Sequence, residues 1–208
     1  MTKAYHKDQS LPIGLFDSGI GGLSLLKALR LELPKENYIY LADTRHAPYG
    51  PQSEEFIAQR VLAMANFLVQ KKVKAMLVAC NTATAAAVKQ LREIYPIPII
   101  GLEPALKPAI EACKNKRLGV LATEATLQSE KYKNLKQKVA KDLYLVEKGS
   151  KELVELIETG DYQNEQARQL IESELALFKL EEIDTLVLGC SHFPFFYQKK
   201  SKKSSAIR

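Results

Sequence analysis

Apolar and polar positions along this chain switch repeatedly between two periods. Short apolar runs bounded by turn residues read as buried strands, and apolar residues recurring every three or four positions read as helices. Pro12 to Phe16 is a run of the first kind, and Leu23 to Leu33, stopped by Pro34, is one of the second. Between them, Asp17-Ser18-Gly19-Ile20-Gly21-Gly22 predicts a tight loop. The alternation continues with a strand at Asn37 to Ala42, a loop at Asp43 to Ser53, and a helix at Glu54 to Lys71 with Phe56, Ile57, Val61, Leu62, Met64, Ala65 and Leu68 on its inner side. A strand at Lys74 to Ala79 and an Ala-rich helix at Thr82 to Ile94 follow. A βαβαβα order implies a parallel sheet with helices on its faces.

After a short strand at Pro96 to Gly101 and a helix from Glu103-Pro104 to Cys113, the pattern restarts. Arg117 to Thr123 repeats the layout of Ile13 to Ser18, a strand with an early glycine that closes on hydroxyl-bearing residues. Helices are expected at Ser129 to Val139, Ser150 to Glu158 and Asn164 to Phe178, with strands at Asp142 to Val146 and Asp184 to Gly189. The fold class is therefore α/β, built as two similar lobes, each a parallel sheet flanked by helices. The expected boundaries are 1–101 for the first lobe, 102–197 for the second, and 198–208 for a basic, disordered tail. In open α/β sheets ligands bind beyond the carboxyl ends of the strands, so a cleft between the lobes is the expected site.

Two of the strands end alike. Met76-Leu77-Val78-Ala79-Cys80-Asn81-Thr82 and Leu186-Val187-Leu188-Gly189-Cys190-Ser191-His192 each run apolar, reach a small residue, deliver a thiol and turn polar. Buried cysteine usually behaves as a small hydrophobe, and Cys113, in a helical stretch, keeps that reading. Cys80 and Cys190 depart from it because they recur in matched context. A thiol at a strand end and helix start meets the helix dipole and free backbone N–H groups, which favour thiolate. Asn81 or Thr82 is expected to cap the helix after Cys80, and His192 can serve Cys190 as a hydrogen-bonding or electrostatic partner. Asp17 either caps the following helix or belongs to a site in which that helix start holds a carboxylate. The glycines after Asp17 do not form a dinucleotide fingerprint, since Ser24 stands where its last glycine would be.

Composition narrows the function classes. The 208 residues, 46% hydrophobic and 26% charged, suit one large or two small domains. Three cysteines without a C-x-x-C pair, and histidines in unrelated contexts, support neither a disulfide framework nor a metal site. The sequence pI of 9.1 comes from the tail, where Lys199, Lys200, Lys202, Lys203 and Arg208 carry +5 of the net +6. The remainder is nearly neutral, which argues against nucleic acid as a partner. With no apolar run of membrane length and a polar start, the expectation is a cytoplasmic protein with no membrane partner.

Four segments, Asp17-Ser18-Gly19-Ile20-Gly21-Gly22, Pro48-Tyr49-Gly50, Cys80-Asn81-Thr82-Ala83 and Gly189-Cys190-Ser191-His192-Phe193-Pro194, resemble in order and separation those of the glutamate racemases, within the aspartate/glutamate racemase superfamily. The resemblance runs from about Ile13 to Pro194, and Pro48-Tyr49-Gly50 leans to the glutamate branch. It implies cofactor-independent racemisation of L- and D-glutamate, supplying D-glutamate for peptidoglycan, with no metal. It implies Cys80 and Cys190 as the two acid/base groups, Asp17 and His192 as their assistants, and Glu158 as the carboxylate that orients His192. Asp17, Ser18, Pro48, Tyr49, Gly50, Asn81, Thr82, Thr123, Thr126, Ser191 and His192 match substrate-holding positions. The implied partner is glutamate, with a homodimer left open.

Three departures stand out. Ser191 replaces the usual Thr, and Gln52 stands where the family carries Lys or Arg. The family also continues for several dozen residues that return to the first lobe, where this sequence has its Lys/Ser tail, so the expectation is a chain truncated at its C-terminus and impaired in stability, activity or both. Racemisation of aspartate or a related small acid, and an inactive remnant that binds glutamate, are the competing readings.

Overall fold

A computed structural model of the chain describes Asp8 and residues 10–196; the expected tail at 198–208 and Tyr197 lie outside the described residues. The chain divides into two units, Met1–Glu103 and Pro104–Arg208.

In the first unit, β1 (Ile13–Asp17) is buried at all five positions. It leads through the glycine loop into α1 (Leu23–Glu32), followed by β2 (Tyr38–Ala42), a 3-10 turn at Thr44–His46 and α2 (Glu54–Gln70). The Ser53 hydroxyl starts α2 by accepting the Phe56 N–H at 3.2 Å, with Glu54 and Glu55 complementing the dipole. Then come β3 (Ala75–Val78), α3 (Asn81–Ile94) and β4 (Ile99–Gly101). The strands lie in the order β2-β1-β3-β4, all parallel, so every connection is a helical crossover.

Strand alternation sorts the side chains between the faces. Phe16, Met76 and Val78 meet Ile57, Val61, Ala65 and Leu68 of α2 and Ala83, Ala87 and Leu91 of α3 in one buried cluster. Ile13, Leu15 and Leu77 point to the other face, against Leu25 and Leu29 of α1. That face is the thinner one. α1 buries no residue fully, and Ile100, in register beside Leu77, is 52% exposed.

The second unit contains α4 (Leu106–Ala112), β5 (Arg117–Ala122), α5 (Glu124–Gln128), α6 (Glu130–Val139), β6 (Tyr144–Gly149), α7 (Glu152–Thr159), α8 (Glu165–Leu180), β7 (Thr185–Gly189) and a 3-10 turn at Phe193–Phe196. Its sheet, β6-β5-β7, is parallel throughout. Leu118, Val120 and Val187 pack with Leu106 of α4 and Tyr132 of α6, while Leu121 and Val146 pack with Leu153 and Val154 of α7 and Phe178 of α8. Among the described residues, no helix is long and apolar enough to cross a membrane.

Several local expectations need correction. The helix expected from Ser129 to Val139 is α6, but a further short helix precedes it, α5, which Thr123 starts by accepting the Thr126 N–H at 3.2 Å. Ser129 ends α5 and caps α6 through the Tyr132 N–H, so two helices stand where one was expected. Cys113 is the residue at the C-terminal cap of α4 rather than inside it. Ser150 lies outside α7, its hydroxyl accepting the Leu153 N–H at 3.2 Å. Asp17 does not cap α1: Gly22 occupies that cap and offers no side chain.

Candidate active site

The two sheets share more than their class. Each places its first strand in the centre, its second on one side and its third on the other, and in each the third strand of that trio is followed by the cysteine. Cys80 and Cys190 therefore occupy the same topological position, one after β3 and one after β7.

At the carboxyl edge of the first sheet, three adjacent strands release Asp17, Asp43 and Cys80. Register fixes this neighbourhood, since Ala79 N–H donates to Phe16 O at 2.9 Å and Asp43 N–H to Asp17 O at 3.1 Å. The Asp17 carboxylate is fully buried, and its Oδ1 accepts the Ser18 hydroxyl at 3.2 Å and the Gly19 N–H at 3.1 Å. The loop can fold this closely because Gly22 lacks a side chain: a Cβ there would stand 2.9 Å from Asp17 Cβ and 3.0 Å from Ala79 Cβ. Tyr40 pins the turn by donating its hydroxyl to Gly19 O at 2.7 Å.

Cys80 is 5% exposed and is itself the N-cap of α3, its Sγ accepting the Ala83 N–H at 3.4 Å. This replaces the expected Asn81 or Thr82 cap. Both of those residues are helical and buried, on the first turn of α3. A sulfur held by a helix N-terminal N–H is electrostatically biased toward thiolate. Tyr49 packs in the same buried cluster as Cys80, on a loop that enters through a cis Ala47-Pro48 peptide and leaves through the half-buried Gly50.

Tyr49 is tied to a network that sequence reasoning missed. Its hydroxyl donates to Asp43 Oδ2 at 2.7 Å; Arg60 adds Nε at 2.8 Å to the same oxygen and Nη2 at 2.9 Å to Oδ1, and His46 Nδ1 lies 2.8 Å from Oδ1. Burial alone would raise the Asp43 pKa, but the hydrogen bonds from Arg60, His46 and Tyr49 outweigh it and hold the carboxyl at about 2. Burial, and then the bond to Asp43, push the Tyr49 phenol far above its ordinary value, so it stays a donor. The one available signal was a charged residue directly after a strand, which Asp43 shares with Asp17.

At the carboxyl edge of the second sheet, Thr123, Ser150 and Cys190 leave adjacent strands, with Ser150 N–H donating to Ala122 O at 3.0 Å. The Thr123 hydroxyl lies 2.9 Å from Thr126 Oγ1, and both threonines are buried. Cys190 is 7% exposed, with its Sγ 3.7 Å from His192 Nδ1; Ser191 Oγ is 3.4 Å from the same nitrogen. The other ring nitrogen, Nε2, is 2.5 Å from Glu158 Oε1 at the end of α7. Glu158, His192 and Cys190 thus form one line. Cys113 stands apart, its thiol raised by burial and by Asp184. Among the described residues, no group of three or more His, Cys, Asp and Glu could hold a metal ion.

Two α/β units, each built on a parallel sheet and each with a buried thiol and its hydrogen-bond partners at the carboxyl edge of that sheet, define the class of protein. The chain belongs to the Asp/Glu/Hydantoin racemase family, whose model matches residues 23–206. It is 50% identical over 184 residues to a glutamate racemase of Ralstonia pickettii, an alignment covering 88% of this chain and 65% of that protein. Of solved structures, it is similar to Escherichia coli glutamate racemase in complex with L-glutamate and the activator UDP-MurNAc-ala, with a TM-score of 0.82 and 35% identity over 88% of this chain and 71% of that one. The Francisella tularensis glutamate racemase in complex with D-glutamate matches with a TM-score of 0.77 and 34% identity over 90% of this chain and 71% of that one. The chain thus spans about two thirds of the length of these relatives.

Proposed function

We propose that the chain interconverts L- and D-glutamate by moving the Cα proton between two cysteines, without a cofactor. The observation that carries this reading is the matched placement of Cys80 and Cys190, which follow β3 by two residues and β7 by one, the corresponding strands of two parallel sheets. Inverting an amino acid at Cα needs a base on one face and an acid on the other. On this reading one thiolate takes the proton while the opposite thiol donates its own, and the roles exchange when the direction reverses.

The local surroundings suit each thiol to that work. The Ala83 N–H and the α3 dipole favour the charged form of Cys80. With its Nε2–H donating a hydrogen bond to the Glu158 carboxylate, the neutral His192 ring presents its Nδ1 lone pair to Cys190 and can take the thiol proton there, leaving an imidazolium paired with a carboxylate. Asp17 assists on the Cys80 side, where its strand runs beside β3. Ser18, Asn81, Thr82, Thr123, Thr126 and Ser191, with the Pro48-Tyr49-Gly50 loop, supply hydroxyl, amide and backbone groups for a zwitterion with two carboxylates. The carbanion formed at Cα depends on such donors around the α-carboxylate. The product would serve as the D-glutamate of peptidoglycan in the cytoplasm, and a homodimer is compatible with the reading.

Incubating the protein with L-glutamate in deuterated water, while following the α-proton by NMR and D-glutamate by chiral chromatography, tests the proposal. Signal loss together with D-glutamate is expected. Cys80→Ala and Cys190→Ala should each stop racemisation while glutamate still binds, and racemisation surviving in either variant would sink the two-thiol mechanism. Binding without exchange in the unaltered chain identifies a glutamate-binding protein, and exchange with aspartate in place of glutamate identifies a different substrate.

A further inference from the structure

Asp43 has the features of a group that acts through others. The residue is 8% exposed, and its two carboxylate oxygens accept from three residues in three places: Arg60 on α2, His46 on the 3-10 turn, and Tyr49 on the loop after it. With four hydrogen bonds, its lone pairs are filled, so it is poorly placed to take a substrate proton. What these bonds do is join β2, α2 and the Thr44 to Gly50 loop at one point. The member reaching furthest in is Tyr49, only 1% exposed and packed in the cluster that contains Cys80. The charge on Cys80 adds to the rise of the Tyr49 pKa, which places the phenol within electrostatic reach of the thiol.

We propose that Asp43 is a positioning residue: with Arg60 and His46 as its anchors, it holds Tyr49 in the Cys80 cluster and so sets how openly that thiol meets solvent and substrate. The fork of Arg60 matters here, because its two parallel bonds fix the plane of the carboxylate and therefore the direction in which Oδ2 receives the Tyr49 hydroxyl. A flexible loop would otherwise have to keep an aromatic ring buried by packing alone. The effect on substrate rests on the proposed function; the effect on the Cys80 thiol does not.

The test compares the full chain with Asp43→Asn, Tyr49→Phe and the double variant, measuring the iodoacetamide alkylation rate at each cysteine by peptide mass spectrometry. Loss of one buried hydrogen bond should speed alkylation of Cys80 about fivefold to twentyfold, with Cys113 and Cys190 unchanged. Because both substitutions break the same link, the double variant should be no faster than the faster single one. An unaltered Cys80 rate in Tyr49→Phe, an equal rise at all three cysteines, or multiplicative effects in the double variant overturns the proposal. Tyr49→Phe removes a single oxygen and carries the test where Asp43→Asn does not fold. In racemase assays the same variants should raise KM for glutamate about fivefold or more with kcat within about threefold, and an unchanged KM refutes the substrate part. If the unaltered chain shows no glutamate turnover, the function reading fails while the alkylation rates still decide the role of Asp43.

Discussion

His192 Nε2 stands 2.5 Å from Glu158 Oε1, a contact between residues 34 positions apart that joins the end of α7 to the turn after β7. His192 is 1% exposed, so its ring has little freedom to choose another partner. A carboxylate at one ring nitrogen fixes which nitrogen faces the thiol and stabilises the ring when it becomes positive.

Glu158→Gln keeps the shape of that contact and removes its charge. The expected result is a drop in kcat/KM of about 10 to 100-fold, a share of what general acid/base groups contribute. Two enantiomers have equal free energy, so kcat/KM must fall by the same factor in both directions, although the substitution lies on one side only. Rates from L- and from D-glutamate check this. A variant with unaltered rates in both would remove Glu158 from the proposed machinery.

Cys80 carries a structural duty besides its proposed chemical one, and the two can be separated. Cys80→Ala leaves the Ala83 N–H at the start of α3 without its side-chain acceptor, at a cost of about 1 kcal/mol. Cys80→Ser supplies a better cap in the same place, yet its hydroxyl ionises far too weakly to replace a thiolate. Serine should therefore melt above alanine by a few degrees, while both lack racemase activity. Thermal unfolding followed by circular dichroism, beside the exchange assay, provides the comparison.

The strands and helices were legible because burial on both faces forces apolar runs on parallel strands, and one-sided burial forces helical spacing on α2 and α3. The matched cysteines were legible for the same reason, since each interrupts its run at the sheet edge. Contacts between distant segments were not. Nothing in the spacing of positions 43, 46, 49 and 60 announces one shared carboxylate, and Glu158 entered only through resemblance. The cap of α3 was missed because thiol is a weak acceptor compared with the Asn81 and Thr82 that follow it, and the geometry, not acceptor strength, selects Cys80. α5 was missed because its five residues are too few for helical spacing to show, whereas α6 begins at Ser129 as its cap.

Asp43 should leave a mark on acid stability. Its folded pKa is lowered from 3.8 to about 2 by Arg60, His46 and Tyr49 acting against burial. Between these values the unfolded chain holds more protons at this position than the folded one, so stability rises with pH across that window and the contribution is complete above about pH 4. The shift corresponds to about 2 kcal/mol at neutral pH. Asp43→Asn should lose roughly that amount at pH 7 and little at pH 2, read from urea unfolding curves of both proteins. A difference that stays constant from pH 7 to pH 2 would show that the carboxylate charge is not the cause.

Gly22 and Gly160 offer a last comparison, because they lack side chains for opposite reasons. Gly160 ends α7 in the left-handed region, at φ 82°, with nothing within 4 Å of where a Cβ would be. Alanine there costs conformational energy of about 1 kcal/mol and nothing else, and asparagine, which tolerates that region, should cost less. Gly22 has an ordinary φ of −65° but no room, with Asp17 Cβ and Tyr40 Oη both at 2.9 Å from a built Cβ. The Tyr40 hydroxyl can give way, but Asp17 Cβ and Ala79 Cβ, the latter at 3.0 Å, are fixed at buried strand ends and cannot swing aside, so Gly22→Ala must displace the loop or β1, at a cost of about 1 to 3 kcal/mol. Displacement there moves Asp17, so racemase activity should fall in Gly22→Ala by more than its stability loss explains. Gly160→Ala should melt lower with activity intact at temperatures where it is folded. Parallel melting curves and turnover rates for the two variants test the contrast, and equal activity in both would mean that the Asp17 loop tolerates movement that its packing argues against.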